Sequence, residues 1–203
     1  MRENPKHTVR DADFVRQLIA ENPWATLVSH TDAGIVASHY PVLLDEHEPL
    51  SVLTHVGRPD EELHRFGEAE MLMIFAGPHG YISPSWYSPE ATPVPTWNFS
   101  VAHCYGTAHV LEPEENLRVL GRLVERFERH VERPVELTPE VGARLAPRTV
   151  GIRLAITRFI CKVKMSQDKD AQSRLQVIDA LRAPGPYSNP LLAEHMQRAA
   201  GGS

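Results

Sequence analysis

Cysteine is nearly absent from this chain: Cys104 and Cys161 are the only two in 203 residues. Both fall in stretches that read as strands, which argues against a disulfide framework and for two buried thiols in a cytoplasmic protein. Long apolar runs are missing too, since none approaches the roughly 20 residues of a membrane span. The first residues lack the basic-then-apolar layout of a signal peptide. There is no basic excess: a net charge of −5 and a pI near 6.1 argue against a broad nucleic-acid footprint. Also absent are G-x-G-x-x-G, a Walker loop, a G-x-S-x-G elbow, C-x-x-C and H-E-x-x-H, which removes the most familiar nucleotide, hydrolase, thiol-redox and zinc-protease chemistries. With 42% hydrophobic and 23% charged residues, what remains is an ordinary globular chain able to bury a sizeable core.

The chain is rich, instead, in aromatics around its centre. Two of its three Trp and three of its five Tyr lie between Phe75 and Leu111, on either side of a proline-rich turn between Tyr87 and Val94. Rings on proline-stiffened backbone make rigid surface that suits a flat cofactor or a dimer seam. Histidine is abundant as well, with 11 in all. His103 and His109 share a strand face but stand about 20 Å apart at ~3.3 Å per residue, too far to hold one ion. No metal site is therefore assigned. A single axial His to a haem needs no second ligand nearby and stays open. Cations and donors suited to a phosphate occur at two element ends, the His55–Arg58 turn and Lys162 and Lys164 with Ser166 and Gln167 before the last long helix.

Periodicity supplies the elements. Residues 8–22 read as a helix with Thr8 and Asp11 as its capping box, and Phe14, Val15, Leu18 and Ile19 as its apolar face. Trp24–His30 and Ile35–Val42 read as a hairpin, with His39 on one face and Tyr40 on the other. Further strands are expected at Leu50–Val56, Met71–Ala76, Phe99–Leu111 and Thr149–Val163. In the third of these, Ser100, Ala102, Cys104, Gly106 and Ala108 form a small-residue face suited to close packing against another layer. A helix follows Glu112-Pro113, with Leu117, Leu120, Val124, Phe127 and Val131 as its stripe and Arg mixed with Glu rather than forming a basic band. Another passes through Leu175, Ile178 and Leu181. A last one is expected over 190–199, before a frayed Gly201-Gly-Ser203 tail. Six or seven strands with hairpin-length links predict a mainly antiparallel β-barrel with appended helices, an α+β arrangement rather than a βαβ sheet.

Gly77-Pro-His-Gly-Tyr-Ile-Ser-Pro-Ser-Trp-Tyr87, with Val94-Pro-Thr-Trp-Asn-Phe99 and His103-Cys-Tyr-Gly106, resembles the PaiB-type family, the FMN-binding negative transcriptional regulators. The likeness also takes in Asn4-Pro-Lys-His7, Ala37-Ser-His-Tyr-Pro41, the His55 turn, and Ile156-Thr-Arg158 through Gln167. It implies an FMN-binding split barrel of the pyridoxamine-phosphate-oxidase type, working as a homodimer with ligand sites at the subunit interface. On that basis residues 1–182 form the split-barrel domain and 183–203 a C-terminal peripheral helix and tail. The implied cofactor-facing positions are His39, His55, Arg58, Trp97, Asn98, Lys164 and Gln167. Arg58 and Lys164 are cast as phosphate partners, Trp97 with Asn98 as the ring-side wall.

Two departures from the family pattern bear on anion binding. Val56-Gly-Arg-Pro59 lacks the family's Asn. Lys164-Met-Ser-Gln-Asp-Lys169 carries Asp168 and Lys169 where the family has Asn and Arg, which adds a carboxylate and removes a bidentate guanidinium. The resemblance therefore carries three readings: an FMN-binding homodimer with a regulatory or redox role, a haem-dependent oxygenase acting on a small amino-acid-like substrate, and a cofactor-free dimer. In the haem b reading the axial ligand is His39 or His55. A small-molecule ligand or substrate is compatible with the first two. Direct DNA binding and membrane association are not expected, and the catalytic residues stay unassigned because local spacing fixes no acid–base pair.

Overall fold

A computed structural model describes residues 1–89 and 94–201 of the chain. Residues 90–93 of the proline-rich turn and residues 202–203 of the tail lie outside the described residues. From the N-terminus, β1 (Thr8–Val9) precedes α1 (Ala12–Glu21). The hairpin strands β2 (Trp24–Thr31) and β3 (Gly34–Pro41) follow, then β4 (Leu43–Leu44), β5 (Ser51–Gly57) and the short α2 (Asp60–His64). Next come β6 (Met71–Ile82), β7 (Thr96–Val110), α3 (Pro113–Glu128), α4 (Pro139–Leu145), β8 (Thr149–Lys164), α5 (Ala171–Arg182) and α6 (Pro190–Gly201). The sheet contains eight strands among the described residues, in the order β3-β2-β6-β7-β8-β5-β4, with β1 pairing β8. The registers of β1 with β8, β2 with β3 and β6, and β5 with β4 and β8 are all antiparallel. The two-residue strands β1 and β4 bring the total above the six or seven expected, because runs that short carry no readable period.

The chain divides into two compact units. The larger comprises residues 11–75 and 103–159. Its core gathers Leu43 and Leu53 from β4 and β5, Leu111, and Val119 and Leu123 from α3. The small face of β7 is buried through Cys104 and Ala108 as its alternation predicts. At Gly106 a Cβ would stand 2.0 Å from the Ala155 carbonyl oxygen, so only hydrogen fits where β7 meets β8. Gly34, at φ +108°, supplies the left-handed turn that closes the β2–β3 hairpin. The smaller unit comprises residues 1–10, 76–102 and 160–203. There α5 buries Val177, Ile178 and Leu181, and α6 buries Leu192, Ala193 and Met196. The Asn189 amide ties the start of α6 to the His79 carbonyl at 2.9 Å.

Three helical expectations are corrected. The first helix begins at Ala12, with the Asp11 carboxylate accepting from the Asp13 N–H, and not at residue 8. Thr8 and Val9 pair with Lys162 and Cys161, because β-branched residues at a sheet margin take the extended state. In α3 the buried positions are Asn116, Val119, Leu120 and Leu123, whereas Leu117 and Phe127 are exposed and the helix ends at Glu128, short of the exposed Val131. The sequence holds two overlapping apolar stripes, and the core takes the one centred on Val119. In α5, likewise, Val177 points inward and Leu175 outward.

Candidate cofactor site

In the smaller unit the beginning of β7, the end of β8 and the loop after it place four of the sequence-predicted residues together. Alternation along β7 turns Trp97 out and Asn98 in. Asn98 is fully buried, and its amide exchanges hydrogen bonds with the Ser166 hydroxyl at 2.9 and 3.2 Å. It also donates to the Met196 sulfur at 3.3 Å. Gln167 braces the same loop: its carbonyl accepts from the Met165 N–H at 2.7 Å and its amide donates to the Val163 carbonyl at 2.7 Å. These bonds hold Ser166 in a left-handed conformation, φ +58°, that a non-glycine residue adopts only when its surroundings fix it.

Lys164, half-buried at the end of β8, donates to the neutral Thr96 hydroxyl. Burial pulls its pKa below the ordinary lysine value; Lys162 and Lys169 push the same way, while the Asp168 carboxylate opposes them. His7 is lowered as well, first by burial and then by Lys162 and Lys164, against the opposing pull of Asp168. The chain has four lysines, and three of them fall within this run from 162 to 169. Lys162 stands 5.6 Å from the Phe99 ring centroid and Lys169 5.3 Å from that of Tyr87.

Trp97, 54% exposed, belongs to an aromatic chain. The His79 ring stacks on it at 6.4 Å and 28°, and Tyr81 meets it edge-on at 6.5 Å. Tyr81 continues to Tyr187 at 5.4 Å, and Tyr187 to Trp86 at 6.1 Å. A half-buried ammonium can take an anionic group, and the exposed indole next along β7 from its Thr96 partner can take a flat ring. Thr96 and Tyr187 went unrecognised in the sequence. Thr96 is 68 residues from Lys164 in the chain, and Tyr187 follows a Pro-Gly-Pro break that carries no chemical signal.

The other three predicted residues lie in the larger unit. His39 is exposed on β3; its Nδ1 lies 3.0 Å from the Thr26 hydroxyl and its ring stacks on Trp24 at 6.3 Å. His55 is half-buried on β5, its Nδ1 has no hydrogen-bond partner among the described residues, and burial lowers its pKa. Arg58 pairs with Glu61 in the first turn of α2. A histidine of another kind, His64, is buried between two hydroxyls, with Ser29 and Ser38 each 2.8 Å from one ring nitrogen. Burial also lowers its pKa, against the pull of Asp60. No group of three or more His, Cys, Asp or Glu side chains suited to a metal ion occurs among the described residues. Cys104 and Cys161 are buried thiols, and burial pushes Cys161 up to about 12, which keeps it protonated and inert.

The eight-stranded antiparallel sheet with appended helices defines a split-barrel fold. A Mycobacterium smegmatis protein described as binding FAD and haem superposes with a TM-score of 0.60 at 18% identity, over 83% of this chain and 78% of that one. The flavocytochrome Anf3 of Azotobacter vinelandii gives 0.60 at 15% identity, over 81% and 72%. At such identities the likeness is one of fold. The chain itself belongs to the family described as "Putative FMN-binding domain", which matches residues 1–158. It is 30% identical over 199 residues, 95% of either chain, to the "Protease synthase and sporulation protein PAI 2" of Bacillus subtilis strain 168. Lys164 and Gln167 lie beyond the family match but within reach of that longer alignment.

Proposed function

We propose that this chain binds FMN at the site in its smaller unit and works as a flavin-dependent redox or sensing protein. The observation that carries the reading is Lys164, a half-buried ammonium bonded to the hydroxyl of Thr96, the residue before the exposed Trp97, and influenced by Lys162 and Lys169 against the single Asp168 carboxylate. Three ammonium groups set against the Asp168 carboxylate fit a phosphate, and the open indole fits a flat ring. The family supports the same cofactor. When bound, FMN supplies one- and two-electron transfer. The chain's own residues hold and orient it: Lys164 carries the phosphate charge, Trp97 walls the ring, and Asn98 and Gln167 act from below by fixing the 165–169 loop. Arg58 is the second phosphate candidate, but its guanidinium already faces Glu61. The test is a visible-absorbance titration with FMN. Lys164→Met is expected to weaken binding more than Arg58→Met, and equal, unchanged affinity in both variants would remove the assignment.

A second reading rests on His39. Its Nδ1 is held by Thr26 while the ring is exposed, the presentation of an imidazole whose Nε2 serves as a metal ligand. His55 is the alternative axial residue. A Soret band on adding haemin that His39→Ala abolishes, and His55→Ala does not, selects this reading and this residue. Homodimerisation is proposed through the exposed apolar face of β2 and β3, where Trp24 and Ile35 are 63% and 77% exposed. Sedimentation of the wild type against Ile35→Glu tests it, a dimer that survives the substitution counting against this face.

A further inference from the structure

We propose that a pocket in the larger unit, separate in its residues from the flavin site, is a second ligand site that takes a small polyanion bearing phosphate or carboxylate groups. The pocket, about 420 Å³, lies beside β4 between residues of α1 and α3. That volume is in the range of sites for small metabolites, roughly 300–1,000 Å³. Arg16 of α1 and Arg122, Arg126 and Arg129 at α3 line it. The last three are spaced by four and three residues, which places them on one helical face. Read along the chain, these arginines alternate with glutamates and look like a mixed helix; in space they converge.

Such convergence is unfavourable without an anion, because like charges at i and i+4 repel. Against four arginines the lining sets two carboxylates, Glu46 and Glu125, in a chain whose net charge is −5. Glu46 reaches Arg122 at 3.0 Å but is itself 77% exposed, so the pair is weak and exchangeable. The other arginines are aimed by backbone carbonyls and a ring nitrogen. Arg126 donates to the Ala20 carbonyl in the last turn of α1, Arg16 to the Pro49 carbonyl, and the Arg129 Nε to the His130 ring at 3.0 Å. Each of these bonds engages one nitrogen of a three-nitrogen guanidinium, and the planar fork that remains matches a carboxylate or phosphate bidentately. Leu43 and Leu44 complete the lining and give a bound metabolite's carbon skeleton an apolar surface.

Calorimetric titration of the full chain at low ionic strength with sodium pyrophosphate, and separately with sodium citrate, tests the site. Saturable binding of one anion per chain is expected, with the dissociation constant raised about tenfold or more in Arg122→Gln/Arg126→Gln. Arg118→Gln, an exposed arginine of α3 outside the pocket, and Lys164→Met are expected to change it less than about twofold. Saturation by pyrophosphate alone assigns phosphate groups, and by citrate alone carboxylates. No saturable heat with either anion overturns the proposal; so does equal weakening by Arg118→Gln, which marks a diffuse surface charge, or loss in Lys164→Met, which moves the anion to the flavin site. Because Arg126 also ties α3 to α1, Arg129→Gln is run in parallel. A folded Arg129→Gln that binds like the wild type, alongside a double variant that fails to fold, counts against the pocket.

Discussion

Two cations on the same strand, Arg153 and Lys164 of β8, have opposite surroundings. Arg153 meets the Asp45 carboxylate at 2.8 Å and Glu115 at 2.6 Å. Asp45 is completely buried; burial pushes its pKa up, but the His47 N–H and the Arg153 guanidinium outweigh that and hold it below the usual carboxylate range. Lys164 has a hydroxyl for a partner, and burial, with Lys162 and Lys169, moves its pKa down against the pull of Asp168. The first cation completes a structural network within the protein. The second is partly desolvated and forms no ion pair within 4.0 Å among the described residues. The more distant Asp168 carboxylate opposes burial and two other lysines, and it is this looser pairing that the proposed phosphate site would use.

The largest effect expected from this contrast is on folding. Arg153→Met leaves the Asp45 carboxylate buried and unpaired, which costs on the order of 3 kcal/mol, measured as a lowered midpoint in urea at pH 7. Asp45 has a depressed folded pKa, so its contribution is present above the unfolded value and is lost as pH falls through the folded one. The gap between wild type and Arg153→Met is therefore expected to close in acid, below about pH 4. A gap that persists unchanged at pH 3 would break the contrast, since it would show that the arginine acts by packing rather than by charge.

Lys164→Met is expected to do the reverse, leaving the urea midpoint unchanged or raised, because it removes a cation that folding penalises. Its cost falls on ligand instead. Loss of a charged hydrogen bond is worth about 1.5–3 kcal/mol, or roughly a 10–100-fold weaker FMN complex. A variant that loses stability and keeps FMN would show Lys164 to be a structural cation like Arg153. The pH dependence sharpens the point: an anion prefers the protonated ammonium, and the free protein's Lys164 titrates below its ordinary 10.5. FMN affinity is expected to fall as pH rises through that lowered value, and to be flatter over the same range in Lys164→Met.

How much of this could be read along the chain depended on how local each signal is. The inward face of β7 was legible because alternate small residues encode it directly. Lys164, Gln167 and Trp97 became candidates through the family resemblance, since their residue types alone marked only a donor cluster at an element end and an aromatic among prolines. The stripe of α3 was not, because the row from Leu117 is the longer apolar one and only tertiary packing favours the shorter row of Val119 and Leu123. Nor was the Thr96 partner of Lys164, nor the convergence of Arg16 on Arg122, since pairs so distant in sequence leave no periodic trace. His39 and Lys164 looked equivalent as candidates in the sequence. In the structure, one presents a ring nitrogen and the other a charge.

The smallest expected effect concerns the aromatic half of the site. Ring stacking contributes about 0.5–1.5 kcal/mol beyond area burial, so Trp97→Ala is expected to weaken FMN roughly 2–10-fold, less than Lys164→Met. The two substitutions are expected to differ in kind as well as in size. In the proposed site Trp97 would meet a ring, so its loss should reduce any quenching of tryptophan emission by FMN, while the pH dependence assigned to Lys164 survives. Lys164 would meet a charge, so its loss should flatten the pH dependence while the quenching at saturation survives. Trp24, exposed in the larger unit, is the internal control, and Trp24→Phe should preserve both signatures. If quenching is lost in Trp24→Phe and kept in Trp97→Ala, the flat ring lies against β2 and β3 rather than β7, and the site moves toward His39.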